Sequence, residues 1–448
     1  MGRLFGTDGV RGVANRELTP ELAFRLGFAA ARVLSTQQTQ RPYFTVGKDT
    51  RYSGDLLEAA LAAGVMTAGV DVWSLGVIPT PGVAYVTRTC GAAAGVMISA
   101  SHNPMEDNGI KFFGGDGFKL LDATEDAIEE EMEHLEQGSR PVGSNIGRMV
   151  ERRDLVDDYA QFLQGTVRQS LSSLRIVIDA ANGAAYRLAG EVFRHLGADV
   201  VEFYHEPDGT NINVRCGSTH PDAVAAKVKE LKADIGLAFD GDADRLIAVD
   251  ELGQIIDGDR TMLICAKDML ARGDLRGHTV VTTVMSNYGF IKAARDLGIE
   301  LVRTSVGDRY VMEAMREGGY VLGGEQSGHV IFLQHNTTGD GILTALQLLG
   351  VLAASGQPLS ELAAVMRSYP QLLVNIRVKD KSAWRNNGPI LDVIRGVEDK
   401  LGEDGRVLVR ESGTEPIVRV MVEAADQSLV ETYVDDIVQV VKRELGAV

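Results

Sequence analysis

The sequence predicts an α/β protein in which three similar mixed-sheet α/β domains precede a smaller C-terminal α+β domain. A unit of apolar strand, polar loop, amphipathic helix, glycine and second strand occurs three times, starting at Tyr43, Arg175 and Thr279. From about Leu372 the pattern changes, and short strand-like segments alternate with helical ones. The chain has 448 residues, which is too long for one ordinary hydrophobic core and suggests three or four domains.

The first predicted helix spans Pro20–Leu34. Thr19 is a candidate N-cap because its hydroxyl can accept a hydrogen bond from the first helical turn, and Pro20 suits the first helical position. Apolar residues recur along one face of this segment, namely Leu22, Leu26, Ala29, Ala30 and Val33. The pattern is typical of an amphipathic helix.

Each repeated unit joins its two strands through a helix, so we expect parallel pairing with a right-handed crossover. The strand pairs are 43–47 with 69–75, 175–179 with 197–203, and 279–283 with 298–304. In the tail, strand-like segments at 374–378, 406–409 and 417–422 alternate with helices near 390–401 and 429–445. Local pairing of this kind, with helices on one side, indicates an α+β domain. We expect the domains to span residues 1–150, 151–254, 255–368 and 369–448.

Composition and charge narrow the class of protein. The hydrophobic fraction of 45% and the charged fraction of 24% are those of an ordinary globular protein. No apolar run reaches the ~18 residues of a membrane-spanning helix, and we expect no signal peptide. Three separated cysteines, Cys90, Cys216 and Cys265, favour reduced thiols and a cytoplasmic protein. The net charge of −17 repels nucleic acid and anionic membranes, so neither is an expected partner.

One polar loop combines a hydroxyl, an imidazole and a cation. It follows an apolar strand at 94–97 and contains Ser101 and His102, with Lys111 in its continuation. A polar turn with a capping serine is an equally good interpretation of this composition. A G-x-S-x-G elbow is missing from the sequence, which disfavours an acyl-transfer serine.

A second loop, Asp240–Arg245, carries aspartates at alternate positions. Asp240, Asp242 and Asp244 can bring three hard oxygen ligands to one divalent cation. A calcium EF-hand is the obvious competitor, but it needs glycine where Arg245 stands, and the flanking segments are strand-like. We therefore expect a Mg²⁺-like site facing a phosphate, with a merely solvated acidic turn as the alternative.

Two further loops are suited to binding a phosphorylated sugar. The segment 410–419 places two arginines around hydroxyls and a flexible glycine, which suits a phosphate dianion, although a β-turn with surface arginines would look similar. It lacks the Walker A pattern. The segment 323–329 is bracketed by glycines, and its Glu325 and Ser327 could bond a polyol while His329 could exchange a proton.

These four loops, in this order, resemble the α-D-phosphohexomutase family over essentially the whole chain. The family carries the motifs S/T-x-SHNP, DGDxDR, GE-x-SG and R-x-S-x-T-x-P, one in each domain. Within it, the opening segment 5–12 and the loop Gly-Glu-Gln-Ser-Gly-His at 324–329 resemble the members that act on amino-sugar phosphates. The resemblance implies four domains around a central active-site cleft.

The resemblance implies a role for each matching residue. Ser101 would be the phosphorylated serine, and it would share a metal ion with the aspartates of the second loop, Asp240, Asp242 and Asp244. Lys111 would take part in proton transfer, with Arg11 and His102 close by. On physical grounds, Mg²⁺ and nearby cations such as Arg11, Lys48 and Lys111 can offset the charge of the phosphate during transfer. The substrate would be bound by Glu325, Ser327, His329 and Arg245. The distal phosphate would be bound by Arg410, Ser412, Gly413, Thr414 and Arg419.

The implied activity is that of an intramolecular phosphotransferase, an isomerase that moves a phosphoryl group between two hydroxyls of a hexosamine. It would use Mg²⁺, with glucosamine 1,6-bisphosphate or glucose 1,6-bisphosphate as the activating intermediate. The expected partner is a small amino-sugar phosphate on the route to peptidoglycan precursors, and a homodimer is one assembly that the resemblance allows.

Three rival functions are compatible with parts of the sequence. A phosphomannomutase/phosphoglucomutase would perform the same chemistry on hexose phosphates. A phosphatase would discharge the phosphoserine to water, but it has no need for a second phosphate site such as Arg410–Arg419. A non-catalytic sugar-phosphate sensor would be favoured if Ser101 or an aspartate of the metal loop were missing, and all are present.

Overall fold

The structure is a computed structural model that describes residues 3–6, 8–35, 41–135, 139–412 and 415–446. The chain forms two compact units, the first made of Met1–Met285 and Ile299–Val365 and the second of Ser286–Gly298 and Met366–Val448. Among the described residues, none of the helices combines the length and apolar character needed to cross a bilayer.

The first sheet of the first unit is mixed, as predicted. Its elements are β1 (Val10–Val13), α1 (Pro20–Leu34), β2 (Tyr43–Lys48), α2 (Gly54–Thr67), β3 (Asp71–Val77), α3 (Thr80–Cys90), β4 (Ala94–Ile98), β5 (Asp107–Gly114), α4 (Asp122–Met132) and β6 (Met149–Glu151). The strand order is β1-β5-β4-β2-β3-β6. β2 pairs in parallel with β3 and β4, whereas β5 runs antiparallel to β4. The loop between β4 and β5 therefore reverses the chain direction at the carboxyl end of β4.

Helix α1 confirms its predicted start and end. Thr19 accepts a hydrogen bond from the backbone N–H of Leu22, at 3.2 Å. The buried face of α1 packs closely on α2. The approach is so close that a Cβ added at Gly27 would lie 2.3 Å from the carbonyl oxygen of Leu61. The missing side chain lets the two backbones approach, so a larger residue at Gly27 would force the helices apart.

The second sheet carries the acidic loop. Its elements are α5 (Asp154–Gln164), β7 (Arg175–Asp179), α6 (Leu188–His195), β8 (Asp199–Phe203), α7 (Asp222–Leu231), β9 (Ile235–Phe239), β10 (Leu246–Asp250) and β11 (Ile255–Ile256). β7 pairs in parallel with β8 and β9, as the repeated unit predicts for the first pair. β9 and β10 form an antiparallel hairpin with Phe239 opposite Leu246, and the connection between them is the acidic loop.

The third sheet has the strand order β13 (Glu300–Thr304), β12 (Thr279–Thr283), β14 (Leu322–Gly324) and β15 (Val330–Phe332). The helices of this region are α8 (Gly258–Arg272), α9 (Tyr288–Asp296), α10 (Asp308–Gly318), α11 (Gly341–Ser355) and α12 (Leu359–Ala363). β12 and β13 are parallel, as predicted, and the loop between β14 and β15 contains Glu325 and Ser327.

A buried polar junction ties these regions of the first unit together. Asp340 caps the start of α11 by accepting from the N–H of Leu343, at 2.9 Å. Its other carboxylate oxygen accepts from the Tyr159 hydroxyl, at 2.8 Å, and from Asn336 Nδ2, at 3.0 Å. Asn336 Nδ2 also donates to the carbonyl oxygen of Pro81, 3.2 Å away. Burial raises the pKa of Asp340 to about 6.

The second unit is built on an antiparallel sheet with the strand order β16 (Gln371–Arg377), β18 (Ile417–Ala424) and β17 (Gly405–Glu411). Its remaining elements are α13 (Gly388–Leu401) and α14 (Gln427–Leu445). These strands and helices match the predicted α+β tail. The segment Ser286–Gly298 belongs to this unit too, because the buried Glu423 carboxylate accepts from Asn287 Nδ2, at 3.0 Å, and from the N–H of Tyr288, at 3.1 Å.

Candidate functional site

Ser101 lies in the loop between β4 and β5 and is buried. Its backbone has φ +53°, a left-handed conformation that a serine adopts only when its surroundings hold it there. The N–H of Ser101 donates to Ser99 Oγ, at 2.9 Å, and its hydroxyl donates to Asp240 Oδ2, at 2.6 Å. The serine loop of the first sheet and the acidic loop of the second therefore meet at this hydroxyl.

The acidic loop brings its three aspartates together. Asp240, Asp242 and Asp244 are buried, and one ligand oxygen from each lies within 4.8 Å of the others. Among the described residues, Asp242 Oδ1 and Asp244 Oδ1 are buried without a hydrogen-bond partner. Burial and the two neighbouring carboxylates raise the pKa of Asp240 well above its ordinary value. Unpartnered hard oxygens at this spacing fit a divalent cation such as Mg²⁺.

Asp242 is positioned from two sides. The hydroxyl of Thr80, the first residue of α3, donates to Asp242 Oδ2 at 2.5 Å, and the N–H of Thr80 donates to the Asp242 carbonyl oxygen at 3.0 Å. Lys111 Nζ, from β5, also donates to Oδ2, at 2.8 Å. These bonds direct the other carboxylate oxygen, Oδ1, toward the space between the aspartates.

Lys111 is a buried cation between two carboxylates. Its Nζ lies 2.8 Å from Asp242 Oδ2 and 3.0 Å from Asp8 Oδ2. Burial acts to lower the pKa of Lys111, but the two carboxylates outweigh it and the pKa is raised. Asp8 also accepts from Arg11 and, at 2.5 Å, from Lys119. Lys111 and Arg11, which were predicted to lie close together, thus both form ion pairs with Asp8.

A cavity of about 410 Å³ opens beside these groups within the first unit. Of the residues predicted to form the site, it is lined by Arg11, Asp244, Arg245, Glu325 and His329. Residues from all three sheet regions contribute to its wall, which is suited by volume to a ligand of small-molecule size.

His102 and Arg245 lie next to the serine. His102 Nδ1 is 3.3 Å from Ser101 Oγ and 3.2 Å from a terminal nitrogen of Arg245. Burial and the positive charges of Arg245 and Arg11 lower the pKa of His102, so its imidazole is neutral near pH 7. Arg245 also donates from its backbone N–H to Asp240 Oδ1, at 3.1 Å.

The predicted sugar-binding residues occupy the loop between β14 and β15. Glu325 Oε1 accepts from the N–H of Gly307, at 3.1 Å, and Ser327 is exposed with its hydroxyl 3.5 Å from Glu325 Oε2. His329 is buried, and within the described chain both of its ring nitrogens lack a hydrogen-bond partner. Its Nε2 lies 3.8 Å from Asp244 and 3.7 Å from Asp308, so it borders the acidic loop.

Lys48 differs from the expectation that it would add positive charge near the serine. Its ammonium group forms ion pairs of 2.5 Å with Asp55 and Glu58, both on α2. These residues line a separate cavity, of about 600 Å³. The two acidic residues of α2 therefore hold the Lys48 ammonium group at this second cavity.

The predicted phosphate loop lies in the second unit. Arg410 and Arg419 stand directly opposite each other on β17 and β18. The Nε atom of each is buried without a hydrogen-bond partner among the described residues. Burial and the positive charge of Arg419 lower the pKa of Arg410. Two like charges in register destabilise the hairpin unless an anion lies between them, so the pair fits a phosphate site.

Ser412 adds a hydroxyl beside this pair. It is buried, its N–H donates to the carbonyl oxygen of Ile417 at 2.9 Å, and its Oγ accepts from the N–H of Glu415 at 3.3 Å. Gly413 and Thr414, the other two residues predicted for this loop, lie outside the described residues.

Sequence reasoning missed several residues that support the site. Asp8 lies within the quoted opening segment, beside Arg11, so its nearness to that cation was a usable signal. Thr80 gives no such signal, because its contact with Asp242 joins positions far apart in the chain. Lys119 likewise joins distant carboxylates, with Nζ 2.5 Å from both Asp8 and Asp308.

Comparison with known proteins places the chain in one family along its whole length. Four family models of phosphoglucomutase/phosphomannomutase match it: alpha/beta/alpha domain I at residues 2–139, domain II at 156–253, domain III at 257–369 and the C-terminal domain at 373–440. Among solved structures, a phosphoglucomutase/phosphomannomutase family protein from Burkholderia thailandensis is similar, with a TM-score of 0.85 at 28% identity. The match covers 100% of this chain and 98% of that one.

Curated relatives extend the match at higher identity. The phosphoglucosamine mutases of Shouchella clausii and Bacillus subtilis are each 55% identical over 447 residues, covering 100% of this chain and 100% of theirs. The four domain models and these full-length relatives together span the chain. The chain belongs to the phosphoglucomutase/phosphomannomutase family.

Proposed function

We propose that the protein is a phosphoglucosamine mutase that interconverts α-D-glucosamine 6-phosphate and α-D-glucosamine 1-phosphate. The observation that carries the proposal is the bond between the Ser101 hydroxyl and Asp240, which sets a nucleophile against an acidic loop with unpartnered oxygens. The relatives at 55% identity, which bear this name, support the choice of substrate.

The reaction is a double phosphoryl transfer. In the first half, the bond between phosphorus and Ser101 Oγ breaks while a bond forms to the free hydroxyl of the sugar. The proton lost by that hydroxyl is balanced by the proton gained at Ser101 Oγ. The resulting glucosamine 1,6-bisphosphate turns over. In the second half, the bond between phosphorus and the other sugar oxygen breaks while a bond forms to Ser101 Oγ. The proton lost by Ser101 Oγ is balanced by the proton gained at that sugar oxygen.

The acidic loop would hold Mg²⁺ through Asp240, Asp242 and Asp244, with an oxygen on Ser101 completing the set. Bound there, Mg²⁺ would neutralise negative charge on the transferred phosphoryl group. The phosphate on Ser101 adds about −1.5 to −2 charge, and Arg245 lies against the same loop, with Nε 3.7 Å from Asp244. The positive charges of Mg²⁺ and Arg245 would bind and orient the transferred phosphoryl group.

Lys111 and His102 are the proposed proton-transfer groups. His102 is neutral near pH 7 and its Nδ1 is 3.3 Å from Ser101 Oγ, so it can accept the serine proton. Lys111 remains charged while it is paired with Asp242 and Asp8. If Asp242 is withdrawn from that pair, burial lowers the pKa of Lys111 and favours release of its proton. Arg11, which donates to the same Asp8 carboxylate, would contribute positive charge.

Two other loops would bind the rest of the substrate. Glu325 and Ser327 are proposed to hold the sugar hydroxyls at O3 and O4, with His329 beside them. Arg410, Ser412, Gly413, Thr414 and Arg419 are proposed to hold the phosphate that does not react. Since the bisphosphate must bind in two orientations, this second site should respond to charge and not to sugar identity.

The remaining features of the proposal concern domain limits and environment. We propose domain limits near residues 150, 254 and 368, with the serine, metal, sugar and phosphate loops in successive domains. Water would have to be excluded from the reacting groups, because it would otherwise hydrolyse the phosphoserine. Three free cysteines, two of them buried, support a reducing, cytoplasmic environment.

The test is a comparison of substrates. Turnover should be measured in parallel with the 6-phosphates and 1-phosphates of glucosamine, glucose, mannose and N-acetylglucosamine, with glucose 1,6-bisphosphate as activator. The proposal requires the highest kcat/KM with glucosamine phosphates. Preference for mannose or glucose phosphates would instead establish the phosphomannomutase/phosphoglucomutase alternative.

A further inference from the structure

The Ser101 loop is held through its backbone by two side chains that take no direct part in the proposed chemistry. One is Arg51, which follows β2 and is completely buried. The other is Asn213, which lies in the second sheet region, in the connection between β8 and α7. Both donate to the carbonyl oxygens of Ser101 and Asn103.

Arg51 makes most of these bonds. A terminal nitrogen donates to the Ser101 carbonyl, at 2.9 Å, and to the Asn103 carbonyl, at 2.8 Å. The other terminal nitrogen donates to the carbonyls of Pro104 and Asp107, the latter at 3.1 Å. Its Nε is ion-paired with the buried Asp49, 2.9 Å away. A planar guanidinium can satisfy this many acceptors at fixed angles, whereas a lysine ammonium cannot.

Asn213 holds the loop from the other side. Its Nδ2 donates to the Ser101 carbonyl, at 2.9 Å, and to the Asn103 carbonyl, at 3.1 Å. The same face is closed by Gly241 of the acidic loop, where a Cβ would lie 2.4 Å from the Ser101 carbonyl oxygen. The peptide after Ser101 is therefore enclosed by groups from both sheets.

We propose that Arg51 and Asn213 form a carbonyl clamp, a pair of positioning residues that keep Ser101 in its left-handed conformation against the acidic loop. The proposal rests on the proposed function and extends it to residues outside the four motifs. Transfer in line requires the nucleophile to be placed within a fraction of an ångström. Because the clamp holds the backbone and leaves the sugar untouched, its loss should lower kcat far more than it raises KM.

The sharpest variant is Asn213→Gly. Asn213 has φ +61°, which glycine adopts without strain, so the substitution removes the donor and preserves the backbone. The matched control is Asn15→Gly, because Asn15 is exposed and has φ +60°. We expect kcat to fall roughly ten- to a hundredfold in Asn213→Gly, with KM changed less than about threefold, and to stay at the wild-type value in Asn15→Gly. An unchanged kcat in Asn213→Gly, or a loss confined to KM, would overturn the clamp.

Arg51→Lys is the second test variant. It keeps the positive charge opposite Asp49 but removes the planar guanidinium that donates to the loop carbonyls. It should lower kcat at least as much as Asn213→Gly, and in the double variant the two losses should not multiply, since both residues hold the same carbonyls. Losses that multiply fully would show that they act independently, against a shared clamp.

Amide hydrogen exchange separates this proposal from the proposed function. If the wild-type protein failed to interconvert any sugar phosphate, the proposed function would be wrong, yet the clamp would still predict faster exchange across residues 99–108 in Asn213→Gly than in Asn15→Gly. Equal exchange in the two variants would overturn the clamp irrespective of activity.

Discussion

Lys111 Nζ lies 2.8 Å from Asp242 Oδ2, so the lysine proposed for proton transfer is ion-paired with an aspartate of the proposed metal loop. Asp242 Oδ1, on the other side of the same carboxylate, is buried and lacks a partner within the described chain. One oxygen of this carboxylate thus contacts Lys111, and the other is available to the proposed metal ion. If the proposal is right, cation binding and the charge of Lys111 are linked through Asp242.

Removal of divalent cations should stop turnover. Mg²⁺ should restore activity better than Ca²⁺, which prefers more ligands and longer bonds. Asp242→Asn should raise the Mg²⁺ concentration needed for half-maximal activity by roughly tenfold or more, whereas the exposed Asp222→Asn should not. The measurement is a titration of steady-state rate with each metal after treatment with a chelator. Full activity in excess chelator would contradict the metal assignment.

Ser101→Ala should abolish mutase turnover and leave the protein folded. The substitution removes one hydroxyl and its bond to Asp240, which costs roughly 1–3 kcal/mol of stability, but it disturbs no apolar packing. Steady-state assays with glucose 1,6-bisphosphate supplied, together with thermal unfolding, test both parts. The exposed Ser170→Ala is the control. Wild-type turnover in Ser101→Ala would exclude the phosphoserine mechanism.

Arg410→Ala should lower kcat/KM by roughly ten- to a hundredfold, because a charge-assisted hydrogen bond to phosphate is lost at about 1.5–3 kcal/mol. The loss should be similar in the forward and reverse directions and similar for glucosamine and glucose substrates. Steady-state kinetics on both substrates in both directions provide the measurement. Glu325→Ala is the comparison, since its loss should depend on the sugar. If Arg410→Ala lowered kcat/KM for only one of the two sugars, this loop would recognise the sugar ring and not the phosphate alone.

The Asp340 junction should make stability depend on pH. Burial raises the pKa of Asp340 to about 6, above its ordinary value of 3.8, so the folded protein binds this proton more tightly than the unfolded chain does. Through this group, stability should rise as the pH falls from 7 toward 4, by roughly 2–3 kcal/mol. Thermal unfolding midpoints of the wild type and Asp340→Asn, measured across this range, should therefore diverge in favour of the wild type as the pH is lowered. Parallel pH profiles would contradict the raised pKa.

Local patterns in the sequence were enough to predict much of the fold. Thr19 and Pro20 mark the start of α1, because capping and the fixed φ of proline act within one turn. The strand-like flanks of Asp240–Arg245, which disfavour an EF-hand, form the hairpin of β9 and β10. The three repeated units contain the parallel strand pairs that crossover helices impose.

Contacts between distant positions could not be predicted in this way. Arg51 and Asn213 reach the Ser101 loop from positions far from it in sequence, and neither lies in a quoted motif. Lys48 shows the same difficulty, because it was expected to offset the phosphate charge, whereas its ammonium group is paired with Asp55 and Glu58 of α2. Side-chain pairing across sheets depends on tertiary placement, which periodicity does not encode.

The composition of the second unit has a consequence for how the protein is made. Ser286–Gly298 leaves the ribosome well before Met366–Val448, yet it belongs to the same compact unit. The bonds from Asn287 and Tyr288 to Glu423 cannot form until β18, one of the last elements, has been synthesised. Helix α9 is therefore synthesised well before the strand that completes its unit. A chain that ends before β18 lacks Glu423, so α9 cannot form these bonds. Completion of translation thus becomes a condition for burying this helix, which exposes truncated products to proteolytic quality control.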